Sequence, residues 1–165
     1  MRHARLRRAI VAAARTLETA GLNRGTSGNI GARVAGGILV TPTGVAPVSL
    51  HVSSIVRLND AGNVVEGTLA PTSEWRIHHD IMARRADAGA VVHAHPTFAT
   101  ALACQGLAIP AFHYMVAVAG GASIRCAPYA TFGTARLSAN VVKALEGQRA
   151  CLMAHHGIVA LGRDV

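Results

Sequence analysis

The sequence predicts an α/β domain in which a mixed or antiparallel sheet is covered by helices, and three observations lead there. Strand-like apolar runs outnumber helical ones. Some neighbouring runs are joined by turns too short for the crossover that a parallel pair needs, so they must pair antiparallel. Apolar residues make up 51% of the chain and charged residues 15%, a balance that suits a compact, largely buried domain. No linker, low-complexity segment or internal repeat divides the chain, so its 165 residues are expected to form one domain over 1–165. A domain of that size buries roughly 70% of the surface its unfolded chain exposes.

The first element is a helix over about 4–20, because Leu6, Ile10, Ala13 and Leu17 recur at helical spacing. Its basic start and apolar continuation resemble a leader peptide, but Arg15 and Glu18 interrupt the apolar stretch. A glycine-rich turn follows, then short strands near 28–34, 37–41, 54–58 and 63–66, each bounded by turn-forming residues. Next come a helix over about 73–86, a strand over 90–95 ended by Pro96, and a helix over 97–104. Short strands near 113–118 and 123–126 lead to a helix over 134–146, and a strand over 150–154 turns at Gly157 into 158–161.

Composition excludes several functions. Cys104, Cys126 and Cys151 are odd in number and form no Cys-x-x-Cys pair, so neither a disulfide framework nor a zinc ribbon is indicated, and a reducing, cytoplasmic setting is expected. No apolar run is long enough to cross a bilayer, so no membrane partner is expected. The formal charge is +8, yet the arginines are dispersed after the first helix and aromatic residues are only 4%. Nucleic acid is therefore not an expected partner. A cationic domain that attracts small phosphorylated anions fits the charge as well. Lys143 is the only lysine and lies in a helical pattern far from the motifs below, which argues against Schiff-base chemistry.

The segment "VVHAHP" places two histidines one residue apart at the end of a strand. Side chains alternate faces in a strand, so His93 and His95 point the same way and converge beside the sheet, as metal ligands do. The competing interpretation is a pair of hydrogen-bonded core histidines. A third ligand is available in "CLMAHHGIVAL", where His155 and His156 fall on opposite faces and spacing does not choose between them. The best carboxylate is Glu74 in "PTSEWRIHHDIM", placed in the first turn of a helix, where a capping glutamate is the alternative. His78 shares its helical face; with His79 it ranks below the strand histidines, as a packing or supporting group. Three stretches suit a phosphate: "NRGTSGNI", "TPTGV", and Thr72–Ser73 at a helix start, where unpaired N–H groups favour an anion. Glycine also simply makes turns, so each is weak alone.

Taken in order and at their spacings, "GTSGNI", "LVTPTG", "TSEWRIHHDIM", "VVHAHP", "IPAFHYMVAVAGGASIRCAPYATFGT" and "HHGIVALG" closely resemble the class II sugar-phosphate aldolases of the fuculose-phosphate aldolase type. The resemblance covers essentially the whole chain. It implies a three-layer αβα fold, a mainly antiparallel mixed sheet with helices on both faces, and a homotetramer with active sites between subunits. It implies that the metal ligands are His93, His95 and His156, with Glu74 as fourth contact and acid/base. Gly28, Asn29, Thr43, Gly44, Thr72 and Ser73 resemble the phosphate and substrate contacts, and Tyr114 a proton donor reaching the neighbouring subunit's site.

The activity implied is cleavage of a ketose 1-phosphate, such as L-fuculose 1-phosphate, to dihydroxyacetone phosphate and an aldehyde such as L-lactaldehyde. The implied cofactor is Zn2+ or another divalent transition metal, which stabilises the enediolate left when the C3–C4 bond breaks. Family members continue past "GRDV" with a segment that helps close the site, and this chain is expected to lack it. The alternatives are a pentulose-phosphate 4-epimerase or sugar-phosphate dehydratase of the same fold, and a non-catalytic metal-binding relative.

Overall fold

The computed structural model describes residues 2–165. The chain begins with α1 (Ala4–Thr19), whose apolar face carries Ile10, Val11 and Ala14 into the interior. Four strands follow: β1 (Asn29–Val34), β2 (Gly37–Val40), β3 (Val56–Asn59) and β4 (Val64–Glu66). Then come α2 (Trp75–Arg84), β5 (Ala90–Ala94) and α3 (Thr97–Cys104). The chain closes with β6 (Cys126–Ala127), α4 (Ala135–Ala144), β7 (Ala150–Met153) and β8 (Gly157–Gly162).

These strands form one sheet in the order β4-β3-β2-β1-β5-β8-β7-β6. Every pairing is antiparallel except β6 with β7. The mixed, mainly antiparallel α/β architecture expected from the sequence is therefore present. Alternation along the strands divides the core in two. Ile30 and Ala32 of β1 and Leu39 of β2 face α1 and pack with Ile10, Val11 and Ala14. Ile38, Val40, Val91, Met153 and Val159 face the other way, against Ile77 and Ile81 of α2 and Leu137 and Val141 of α4. Helices thus cover both faces, and α3 lies along β7 and β8.

Two differences from the sequence expectations have local causes. Residues 113–118, expected as a strand, form a 3-10 helix over Tyr114–Ala119. Its apolar residues do not alternate: Val116 and Ala119, three apart, are buried, while Tyr114, Met115 and Val118 face out. That period is the 3-10 period. The His113 ring accepts the Met115 N–H at 3.2 Å, and Gly120 closes the turn with φ 95. The second difference is that α2 starts at Trp75 and not at residue 73. Thr72 donates its N–H to the Thr41 carbonyl at 2.9 Å, which keeps the chain extended two residues longer. Two further 3-10 turns, Pro47–Ser49 and Val52–Ser54, occupy the connection before β3.

Arg7 ties α1 to the far side of the sheet. It is 1% exposed, donates Nη1–H to the Ile55 carbonyl, and holds Nη2 2.9 Å from Glu66 Oε1. Removing one member of a buried pair strands the other, although the partial exposure of Glu66 moderates the loss. Arg7→Ala is expected to destabilise the fold by about 2 kcal/mol. An unchanged midpoint in urea unfolding would refute this role for Arg7.

Candidate functional site

The site is assembled by the register of three strands. His93 on β5 lies directly opposite Asn29 on β1 and Val159 on β8, so all three project from the same face. His95 follows one residue beyond the strand, before Pro96 begins the turn into α3. His156 arrives from the turn between β7 and β8, which the Met153 carbonyl closes by accepting the His156 N–H at 3.0 Å. Both histidines of the pair lie in this turn and not in a strand. His155 takes the left-handed conformation at φ 56 and is exposed, its ring against Tyr129. His156 turns inward.

One ring nitrogen from each of His93, His95 and His156 falls within 4.8 Å of the others. His93 Nε2 and His95 Nε2 are 2.8 Å apart. Gly157 makes this convergence possible, because a Cβ there would stand 2.6 Å from the Ala94 carbonyl oxygen, 2.8 Å from His95 Cδ2 and 3.3 Å from His93 Cε1. Glu74 joins them from the position just before α2. Its Oε2 is 3.2 Å from His93 Nε2 and its Oε1 3.4 Å from His156 Nε2. The carboxylate is buried, makes no capping hydrogen bond to the helix, and leaves Oε1 without a hydrogen-bond donor.

The protonation pattern of these groups suits a cation. His93 Nδ1–H donates to the Ile158 carbonyl at 3.0 Å, so its Nε2 presents a lone pair to the cluster. Burial, reinforced by the neighbouring His156 and His95, lowers the His93 pKa to about 3. Burial and His156 likewise lower that of His95. Each neutral imidazole has one acceptor nitrogen, and with His95 and His156 in the tautomer that His93 holds, three such nitrogens and the carboxylate oxygens face one another. In that state they repel unless a cation lies among them, and the donor set suits a divalent metal.

Beside the cluster opens a cleft of about 160 Å3. Gly28, Asn29, Thr43, Gly44, Thr72 and Ser73 all line it, together with Glu74, His95 and His156. Gly28 has φ 75, and a Cβ on it would overlap the Asn23 side chain. Thr72 is buried and its Oγ1 accepts the Glu74 N–H at 3.3 Å, fixing the turn that aims Glu74. Thr72 and Ser73 therefore sit in the turn before α2, not inside its first turn. Among the described residues no lysine or arginine lines the cleft.

Tyr114 is not brought to this cleft. It is 79% exposed, its ring stacked on His113 at 4.5 Å, in a segment that also exposes Phe112 and Met115. Two residues escaped sequence reasoning in whole or part. Asn23 accepts the His95 N–H through Oδ1 at 2.9 Å, which nothing in "GLNRG" signals. His78 is fully buried against Asn29, and its helical offset from Glu74 was the only hint.

An antiparallel-centred αβα sheet carrying an imidazole triad and a carboxylate beside an anion-suited cleft defines a class of metal-assisted enzyme. Residues 8–165 match the Class II Aldolase and Adducin N-terminal domain family. The chain is 53% identical to a 5-methylthioribulose-1-phosphate/5-deoxyribulose-1-phosphate aldolase of Rhodospirillum rubrum, over 97% of this chain and 72% of that protein. It is 46% identical to the L-fuculose phosphate aldolase of Escherichia coli, over 97% of this chain and 74% of that one. A solved L-fuculose 1-phosphate aldolase superposes with a TM-score of 0.94 at 40% identity, covering 97% of this chain and 76% of that one. The chain belongs to the class II aldolase family and is a lyase. It spans about three quarters of the length of these relatives. Among the described residues no helix is long and apolar enough to cross a membrane.

The buried histidines make stability pH-dependent. His93 has its pKa lowered to about 3 and His78, chiefly by burial, to about 4, both from 6.5. Below pH 6.5 the unfolded chain takes up protons that the native state refuses. Stability is then complete above pH 6.5 and falls as pH drops towards 4, by up to about 1.4 kcal/mol per pH unit for each histidine. Thermal melts of chelator-treated protein from pH 7 to pH 4.5 should show Tm falling throughout. A flat profile would mean that these imidazoles accept protons in the folded state.

Proposed function

We propose that this lyase cleaves a ketose 1-phosphate at C3–C4, releasing dihydroxyacetone phosphate and a short aldehyde. L-fuculose 1-phosphate, which would give L-lactaldehyde, and 5-deoxyribulose 1-phosphate are the first substrates to try, since relatives named for them match nearly the whole chain. The observation that carries the reading is the convergence of His93, His95, His156 and Glu74 at the edge of a cleft whose other walls offer glycine N–H and hydroxyl donors.

In this reading the three imidazoles and Glu74 hold a divalent ion, for which zinc suits the donor set. When bound, the metal supplies Lewis-acid polarisation of the substrate's carbonyl. Gly28, Thr43, Gly44, Thr72 and Ser73 grip the phosphate end, and Asn29 sits between that grip and Glu74. The C4 hydroxyl gives up its proton as its oxygen becomes the aldehyde carbonyl; the C3–C4 bond breaks and its electron pair moves to C3. Glu74, a carboxylate buried at the metal end, takes up one proton from solvent and delivers it to C3, which balances the one lost from the C4 hydroxyl. Tyr114 exchanges the C4 hydroxyl proton from a neighbouring subunit. Its exposure on a surface with Phe112, Met115 and Val118 suits a homotetramer with sites between subunits. A cytoplasmic location fits three free cysteines.

Two outcomes are expected. Purified protein should release dihydroxyacetone phosphate from at least one member of a panel of ketose 1-phosphates, in a chelator-sensitive way, and His93→Ala should abolish both bound metal and release. Full activity of that variant would refute the metal role, and epimerised or dehydrated product in place of release would move the protein to the epimerase or dehydratase relatives. Full metal occupancy without turnover of any kind would indicate a non-catalytic relative. Separately, Tyr114→Phe should slow cleavage at least about tenfold, roughly 1.4 kcal/mol of barrier, while leaving phosphate affinity near that of the parent. An unchanged rate would exclude Tyr114 as the proton carrier.

A further inference from the structure

Beneath the cleft lies a buried histidine that no metal or substrate contact uses. His78, on α2 one turn after Glu74, is 0% exposed and packs its ring onto Gly31 of β1. The close approach is specific: a Cβ on Gly31 would stand 2.7 Å from His78 Nδ1 and 2.8 Å from its Cβ and Cγ. His78 Nε2 lies 2.5 Å from Asn29 Oδ1. Asn29 in turn donates from Nδ2 to Glu74 Oε2 at 3.0 Å. The three side chains form one line, imidazole to amide to carboxylate, ending at the acceptor that faces His93 and His156.

The direction of this line follows from its far end. A carboxylate accepts and cannot donate, so the Asn29 amide must turn its NH2 to Glu74 and its carbonyl oxygen to His78. That oxygen needs a donor, and among the described residues His78 Nε2 is the group placed to give one, at 2.5 Å. We propose that His78 is a positioning residue, held as the Nε2–H tautomer, which locks the Asn29 amide so that it always presents N–H to Glu74. Without the lock, the amide is free to rotate and set its oxygen against the carboxylate, displacing Glu74 from the geometry in which it serves the metal and the proton. The arrangement has a cost that suggests it is used: His78 Nδ1 is left buried with no hydrogen-bond partner. In the other tautomer the proton would sit on Nδ1 and the amide would have to flip; the backbone of Val91, which raises the pKa of the ring, is the group that favours that alternative.

The kinetic part of the test rests on the aldolase reading; the spectroscopic part does not. In metal-free protein, a long-range 1H–15N spectrum of the imidazoles should show His78 protonated at Nε2 and bare at Nδ1. A proton on Nδ1 overturns the proposal whatever the enzyme's substrate. On whichever ketose 1-phosphate the wild type cleaves, His78→Leu, which fills the space without a donor, should lower kcat at least about tenfold, equivalent to roughly 1.4 kcal/mol, with KM within about twofold and metal content unchanged. His78→Gln, whose amide can offer an N–H near the Nε2 position, should recover most of the loss. Equal defects in the two variants, or a loss confined to Tm, would reduce His78 to a packing residue. Should His78→Leu not fold, the tautomer and the His78→Gln rate still decide. Wild-type protein that releases no dihydroxyacetone phosphate yet shows the Nε2–H tautomer would sink the aldolase reading and leave the lock standing.

Discussion

The pairing of β5 with β8 is the constraint on which the site depends. His93 opposite Val159 and Ala94 opposite Ile158 set the depth at which the β7–β8 turn meets the end of β5. Side chains alternate with a period of two, so a slip of one residue would send His93 to the α1 face and leave His156 beside nothing. The turn itself is specified by three unlike residues in sequence. His155 takes the left-handed conformation, His156 faces inward, and Gly157 leaves the space that the rings of His93 and His95 occupy. A side chain at 157 would collide with the neighbouring strand's backbone as well as with the rings, so it could not be absorbed by rotating one imidazole.

That packing creates an electrostatic problem with few solutions. Three imidazoles and a carboxylate are pressed together, largely out of water, with acceptor atoms facing one another. Protons could neutralise the repulsion, but burial makes them unwelcome on His93 and His95, and each imidazolium would repel the next. The Ile158 carbonyl fixes the one proton His93 keeps on the side away from the cluster. A single divalent cation satisfies all the acceptors together, where several protons would each suffer desolvation. The same burial that destabilises the protein in acid therefore favours a divalent cation over protons among these groups near neutral pH.

How much of this could be read from the chain varies with the physics involved. The strands were legible because apolar alternation and short turns act locally, and His93 and His95 were legible as a pair for the same reason. Choosing His156 over His155 needed the turn's backbone conformation, which two adjacent identical residues do not encode; only family resemblance made the choice. The segment expected as a strand at 113–118 is a 3-10 helix over Tyr114–Ala119, because an apolar run looks alike in a strand and a short helix. Glu74 was found as a carboxylate near a helix start, yet its aim depends on Thr72 holding the chain extended, a bond to Thr41 formed across the fold. Asn23 and the His78–Asn29–Glu74 line are contacts between distant segments, and no local pattern announces them.

The excess of positive charge also acquires a structural reading. The formal charge is +8, but among the described residues no lysine or arginine lines the cleft, so an anion there would meet neutral donors: glycine N–H groups and hydroxyls. Several arginines are instead spent on backbone carbonyls where helices end. Arg33 donates to the carbonyls of Met82, Arg85 and Ala88 after α2, and Arg85 to those of Leu145 and Gln148 after α4. Arg125 reaches the carbonyls of Ala144 and Glu146. These are the negative ends of helix dipoles, with carbonyls that lack intrahelical donors, and a fork of N–H groups satisfies two at once. Three of the sixteen basic side chains are thus engaged on backbone carbonyls. On any anion that approaches the cleft, the net charge acts as a long-range field that falls with ionic strength, whereas the groups lining the cleft are neutral donors of fixed geometry. An anion held without a direct ion pair is also easier to release.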